Sequence, residues 1–195
     1  MGIHQLDNAM HWNYFLSIED DIAELARWVE FNPLNYGCYS IEMAKLLMTC
    51  SAEVDVIAKL LCKTFCNSPQ AKSINKYQEV LCEEFPTLTT AEITIPRYSI
   101  TMHPWENWAE ANNPPLWWTS NNKVKHQRSD QFMQANLKNV LNSAAALLHL
   151  LEIYYGLTIN RLPSLPKLFK PNLSFGYPDN AGMILVPRRK IVKNE

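Results

Sequence analysis

The sequence predicts an all-α (mainly) fold: a four- to five-helix bundle with a short extended segment near 92–102 and an irregular, proline-rich C-terminal tail. Three observations predict it. Two long stretches repeat apolar residues at three- and four-residue steps, the period of a helix with one buried face. Only one short stretch alternates with period two. Long periodic segments joined through shorter ones are the pattern of a bundle, in which each helix buries its stripe against the others. Residues 1–160 are assigned to the bundle, and 161–195 to an extended tail packed on the same domain.

Length and composition agree with one well-filled core. The chain has 195 residues, 47% hydrophobic and 19% charged, a globular rather than a disordered balance. Six Trp, eight Tyr and seven Phe supply large apolar area without need of covalent staples. A net charge of −1 provides no overall attraction for nucleic acid or anionic lipid, so any such binding must come from a local basic patch. The five cysteines, at 38, 50, 62, 66 and 82, are odd in number and fall partly on apolar helical positions. That usage suits a reducing compartment and buried thiols rather than a disulfide framework. The N-terminus lacks the basic and apolar blocks of a signal peptide, and no continuous run of about 18 apolar residues reads as a membrane span. A cytoplasmic location without membrane association is therefore expected.

Along the chain, Trp12 to Phe31 reads as a first helix, with Phe15, Ile18, Ile22, Leu25 and Val29 on one face and Asp20, Asp21 and Glu24 on the other. Asn32-Pro33 and Gly37 stop it. Tyr39 to Phe65 is the longest periodic stretch. Ser40 is its predicted N-cap, Glu42 sits in its first turn, and Asp55 and Lys59 are spaced for a helical ion pair. A shorter helix spans Ile74 to Glu84, ended by Phe85-Pro86. Glu92 to Met102 alternates apolar and polar residues as a strand does, with Pro96 confining it to an edge or irregular extended piece. His103 to Trp108 begins a short helix, Asn113-Pro114-Pro115 is a break, and Leu116-Trp117-Trp118 restarts ordered structure. Ser129 to Tyr155 reads as a last long helix with Gly156 as its stop. The tail beyond it contains Pro163, Pro166, Pro171, Pro178 and Pro187, with Met183 to Val186 as a short strand.

One segment differs chemically from the rest. Lys123, Lys125, His126 and Arg128 concentrate positive charge directly after Trp117, Trp118, Asn121 and Asn122. Lysines beside a histidine favour its neutral, proton-accepting form. Arginine and lysine can hold a phosphate, and an aromatic ring can stack on a base. The bland alternative is a solvated basic surface between helices, with the tryptophans in the core. On the second helix, Glu42 and Glu53 either meet this basic segment across the bundle or remain solvated face charges. On the last helix Asn136, Asn139, Asn142 and Ser143 mark an outer face, with interhelical hydrogen bonding as the alternative. Arg188, Arg189, Lys190 and Lys193 read as a solvated tail, with a contribution to RNA contact as the lesser alternative.

The second-helix stretches Ser40-Ile41-Glu42 and Ser51 to Lys59, the pair Trp117-Trp118, the run Asn122-Lys123-Val124-Lys125-His126-Gln127-Arg128 and Ala135-Asn136-Leu137 together resemble a group of uncharacterised bacterial helical proteins. The likeness covers roughly residues 12–156. Through that group the chain is similar to the HEPN superfamily, helical bundles that are often dimeric and often ribonucleases of phage-defence and toxin–antitoxin systems. The superfamily motif is an arginine, a polar residue, three variable positions and a histidine. His126 matches the histidine and Asn122 the polar residue, whereas Asn121 stands where the arginine belongs. The resemblance implies RNA as partner, a homodimer, and metal-independent transesterification without cofactor or metal. His126 would act as general acid or base, Arg128 and Asn122 beside it, and Lys123, Lys125, Trp118 and Asn121 would bind substrate. The alternative reading is a catalytically inactive helical protein-binding module, an antitoxin-like or defence-complex partner of a protein from the same operon. A third class, the metal-dependent hydrolase, lacks a His-x-x-x-His or paired-Asp pattern.

Overall fold

In the computed structural model, residues 9–171 are described. They fold in the order α1 (Met10–Leu25), α2 (Ile41–Thr64), α3 (Ile74–Glu84), β1 (Ile93–Ile95), β2 (Ile100–Met102), α4 (Leu116–His126), α5 (Arg128–Gln131) and α6 (Leu137–Thr158). The mainly α-helical prediction holds, with one two-stranded sheet among the described residues. Two of the helices start as the sequence suggests. The Ser40 hydroxyl accepts the Met43 N–H at 3.1 Å and caps α2, and α3 keeps its predicted bounds.

The centre of the fold is the packing of α2 on α6, and the two run in the same direction. Their N-termini are tied by Leu137 N–H donating to the Cys38 carbonyl and Lys138 N–H to that of Tyr36, at 2.9 and 3.3 Å. Midway, the Ser143 hydroxyl meets the Cys50 thiol, and near their C-termini the rings of Phe65 and Tyr154 lie edge to face at 6.3 Å. Helix α1 runs antiparallel to both, because the Trp12 N–H at its start bonds the Tyr155 hydroxyl near the end of α6. Helix α6 is long and apolar enough in length and composition to cross a membrane, but 83% of its apolar window is buried within the bundle, as a core helix requires.

Three predicted elements differ in detail. Helix α1 ends at Leu25 rather than Phe31; tight turns through Val29 follow, and Phe31 enters the core. The period-two stretch is a hairpin, not one strand. Pro96 starts a 3₁₀ turn, Ser99 takes a left-handed φ of 53°, and Ile93, Ile95, Ile100 and Met102 share the buried face. The long helix expected over 129–155 is broken. The Asn136 side chain accepts the Asn139 N–H at 3.1 Å, so it caps a new helix, and 128–134 becomes a separate α5 and a 3₁₀ turn. At the other end Gly156 is buried within α6, which runs on to Thr158.

The outer-face reading of the polar row on α6 is likewise corrected. Asn139 and Ser143 are buried, their side chains donating to the carbonyls of Gln134 and Val140 at 2.8 Å each. The tryptophans are mostly core: Trp105, Trp108 and Trp117 are buried in one aromatic cluster, and Trp118 is half-buried at its edge. The five cysteines are free, and no group of three metal-ligating side chains occurs among the described residues. Met183–Val186 and the basic residues 188–193 lie outside the described residues.

The start of the tail is held by a buried carboxylate. Glu19 accepts the backbone N–H groups of Lys167, Leu168 and Phe169 at 2.9, 2.8 and 3.0 Å, and Lys170 then pairs with Thr94 beside β1. Charge-assisted bonds to a buried carboxylate stand or fall together, because removing the acceptor leaves every donor dry and unmatched. Glu19→Ala should therefore cost about 3 kcal/mol in urea unfolding and open 160–171 to proteolysis. Stability also depends on pH through a buried histidine. Burial pushes the His149 imidazole on α6 down to about 3. Its folded value lies below the unfolded value of about 6.5, so the unfolded chain takes the proton first. Stability is then lost as pH falls from about 6.5 towards 3, by at most about 1.4 kcal/mol per unit. Urea midpoints of His149→Gln should fall less steeply over that window than those of the wild type; parallel curves would refute the assignment.

Candidate functional site

Helix α4 follows directly on Pro114-Pro115, which fix the approach of the chain, and packs on α2 and α6. Trp117, Ser120, Asn121 and Val124 are its buried positions. The Trp117 indole donates to the Pro104 carbonyl at 2.9 Å and the Ser120 hydroxyl to Gln134 at 3.0 Å, which fixes the rotation of the helix. Everything else about the motif follows from that rotation.

Asn122, Lys123, Lys125 and His126 are all exposed. Asn122 and His126, four residues apart, stand one above the other, and Trp118 lies one turn earlier on the same stripe. The lysines flank this stripe on either side. Arg128 lies beyond the helix end, after Gln127 (φ −136°, ψ 40°), and its guanidinium donates to the Met48 sulfur on α2 at 3.4 Å. The structure thus brings Trp118, Asn122, His126 and the two lysines onto one solvent face, with Arg128 turned towards α2.

Asn121 is the exception. It is 8% exposed, and its side-chain oxygen is buried with no hydrogen-bond partner among the described residues. The position that would carry the motif arginine therefore faces the bundle interior, about 100° around the helix from Asn122.

The acidic residues of α2 do not reach this face. Glu42 pairs with Lys45 at 2.7 Å, Asp55 with Lys59 as its spacing predicts and with the Tyr77 hydroxyl at 2.8 Å, and Glu53 with His11. No ion pair to Lys123, Lys125, His126 or Arg128 occurs among the described residues. The cations sit in the last turn of α4 and just past it, where the helix dipole also favours positive charge.

The His11–Glu53 pair was not legible in the sequence. His11 Nδ1 donates to Glu53 at 2.5 Å, with both side chains largely buried, beside a groove of about 550 Å³ between α1 and α2. The partners are 42 residues apart and neither lies in a motif, so no local signal marks them. The arrangement fixes the imidazole tautomer and clamps two helices.

Comparison with family models, with curated proteins and with solved structures gives no significant match. If Asn121 is a core position, Asn121→Leu should leave thermal stability unchanged or raised, because it removes an unmatched buried oxygen. Asn121→Arg should lower stability by about 2 kcal/mol or more, because it places a charge against the core. The reverse order of melting temperatures would show that the position faces solvent.

Proposed function

We propose that this chain is a HEPN-like protein that binds RNA, holding the phosphate backbone on the solvent face of α4. One observation carries the reading: Asn122, Lys123, Lys125 and His126 share an exposed helical face and have no acidic partner among the described residues. Phosphate contacts supply most of the sequence-independent affinity for nucleic acid, and unpaired exposed cations are the groups that make them. Lysine and imidazole donate to phosphate oxygens, the Asn122 amide offers both a donor and an acceptor, and the half-buried Trp118 ring beside them offers a base an aromatic partner.

Cleavage asks for more than this face provides in one protomer. A metal-independent endoribonuclease needs a base beside the 2′-hydroxyl and donors around the developing phosphorane charge, in a site that excludes water. His126 can serve as the base, and Lys125 and Arg128 as the donors. The enclosing wall would come from a second protomer, which is the homodimer that the resemblance implies. In this reading a catalytic role belongs to the dimer, in a phage-defence or toxin–antitoxin setting. The second reading, a non-catalytic helical module that binds a protein partner, is favoured by the inward orientation of Asn121, since that position offers a phosphate nothing.

A mixed RNA pool and the full chain in EDTA separate these readings. RNA should be retained at low salt, and log K should fall linearly with log salt. Replacing Lys123 and Lys125 by alanine should flatten that slope by about 0.7 for each phosphate no longer neutralised. Cleavage by wild type that disappears in His126→Ala would add catalysis to binding. No retention at about 50 mM salt, or a slope unchanged by the lysine substitutions, would overturn the RNA reading and leave the protein-binding module.

A further inference from the structure

The antiparallel pair α1–α2 leaves a furrow along its outer side. Two cavities lie along it, of about 550 and 340 Å³, and they prove to be two parts of one stripe. On α1 the first is lined at positions 10, 13, 14 and 17 and the second at 18, 21, 24 and 25. Those steps of three and four are a single helical face. On α2 positions 42, 45, 46 and 49 continue into 53 and 56 with the same spacing. The furrow therefore follows α1 for its sixteen residues, about 24 Å.

Its two ends differ in chemistry. At the α1 N-terminal end Met10, Tyr14 and Val56 stand exposed to solvent at 61%, 47% and 39%. At the other end Ile18 and Leu46 form a buried floor, and the Trp28 ring stands 77% exposed at the rim. Asp21 and Glu24 line that end with no ion-pair partner among the described residues, and Glu42 adds a third carboxylate against the one ammonium of Lys45. Large apolar side chains left facing solvent in a row mark a surface built to be covered. A furrow one helix long, flanked by two helices, has the geometry of helix-in-groove recognition.

We propose that the α1–α2 furrow docks an amphipathic helix of a protein partner, about four turns long and basic at one end. Its apolar face lies along Met10, Tyr14, Val56 and Trp28. Its lysines or arginines meet Asp21 and Glu24, which have no ion-pair partner among the described residues, with the Lys45-paired Glu42 beyond them, and the exposed indole also attracts a cation. The site is separate from the α4 face: Met48, which receives Arg128, points about 100° around α2 from Thr49, which lines the furrow. Neither proposal depends on the other.

The test uses the full chain and a fluorescein-labelled sixteen-residue helical peptide with leucines at steps of three and four and lysines over its last two turns. A control peptide has the lysines replaced by glutamate. Fluorescence anisotropy should show saturable binding of the basic peptide, weakened at least about five-fold by Asp21→Asn with Glu24→Gln, and likewise by Trp28→Ala. The same variants should retain RNA as wild type does, and Lys123→Ala with Lys125→Ala should bind the peptide unchanged. The substituted residues are exposed, and a melting temperature equal to wild type checks that each variant is folded. Three results would overturn the proposal: no saturation by about 1 mM peptide, equal binding of the acidic control, or affinity unchanged in both variants. A fourth would do so by assigning the furrow to this chain's own tail: zero-length carbodiimide cross-links in the free protein from Asp21 or Glu24 to Lys190 or Lys193.

Discussion

The same-direction pairing of α2 and α6 is the constraint on which the rest of the fold depends. Two antiparallel helices can be joined by a short turn, but two that start at the same end cannot. The chain leaving Thr64 must travel back the length of α2 before Leu137 can begin beside Cys38. Residues 65–136 make that return journey, and their features serve it. Helix α3 turns back along α2, and the buried Gln78 amide on α3 ties down the loop beyond it, bonding the carbonyls of Trp108 and Glu110 and the Asn112 N–H. The hairpin caps the α6 side, and the tryptophan cluster fills the space between the return path and the central pair. Helix α4 is the last leg. Its orientation, and so the face that carries His126, is fixed by a need of the fold before any need of chemistry.

What could be read in the sequence divides along that line. Local physics was legible: Ser40 caps α2 through its own hydroxyl, Phe85-Pro86 ends α3, and Asp55 pairs with Lys59 one turn on. The missed boundaries are those where tertiary structure overrules a local preference. Apolar periodicity runs almost without interruption from Phe132 to Leu151, so the break at Asn136 could be seen only once the strand-like bridge of Asn136 to Tyr39 was known. Gly156 stays helical for the same kind of reason, since it is buried where the helix end packs. The partners of Glu53 and Glu19 lie 42 and about 150 residues away, and sequence spacing carries no information at that range.

The candidate site shows the same division on a single helix. Reading Asn121 to Arg128 as a linear motif treats neighbours as companions, but in a helix adjacent residues point about 100° apart. Asn121 and Val124 belong to the core, whereas Asn122, Lys123, Lys125 and His126 belong to solvent. Sequence could assemble candidate residue types and could not sort them by face, because α4 has a short, mixed pattern in which Trp117 and Trp118 read alike. Only the Trp117 bond to the Pro104 carbonyl decides which tryptophan is core.

A net charge of −1 concealed an uneven distribution. Lys123, Lys125 and Arg128, at and just past the end of α4, and Asp21 and Glu24 on α1 lie on different helices, and none of them has an ion-pair partner among the described residues. A surface could neutralise itself more simply by interspersing the two signs, as Glu42 with Lys45 and Lys76 with Glu79 do locally. Opposite charges held apart on different helices of one bundle keep their fields available to other molecules, one face attracting anions and the other cations. Because α1 and α4 each pack on the central α2–α6 pair, occupation of either face need not distort the other. The geometry therefore favours two independent binding events on a stiff scaffold over an allosteric coupling between them.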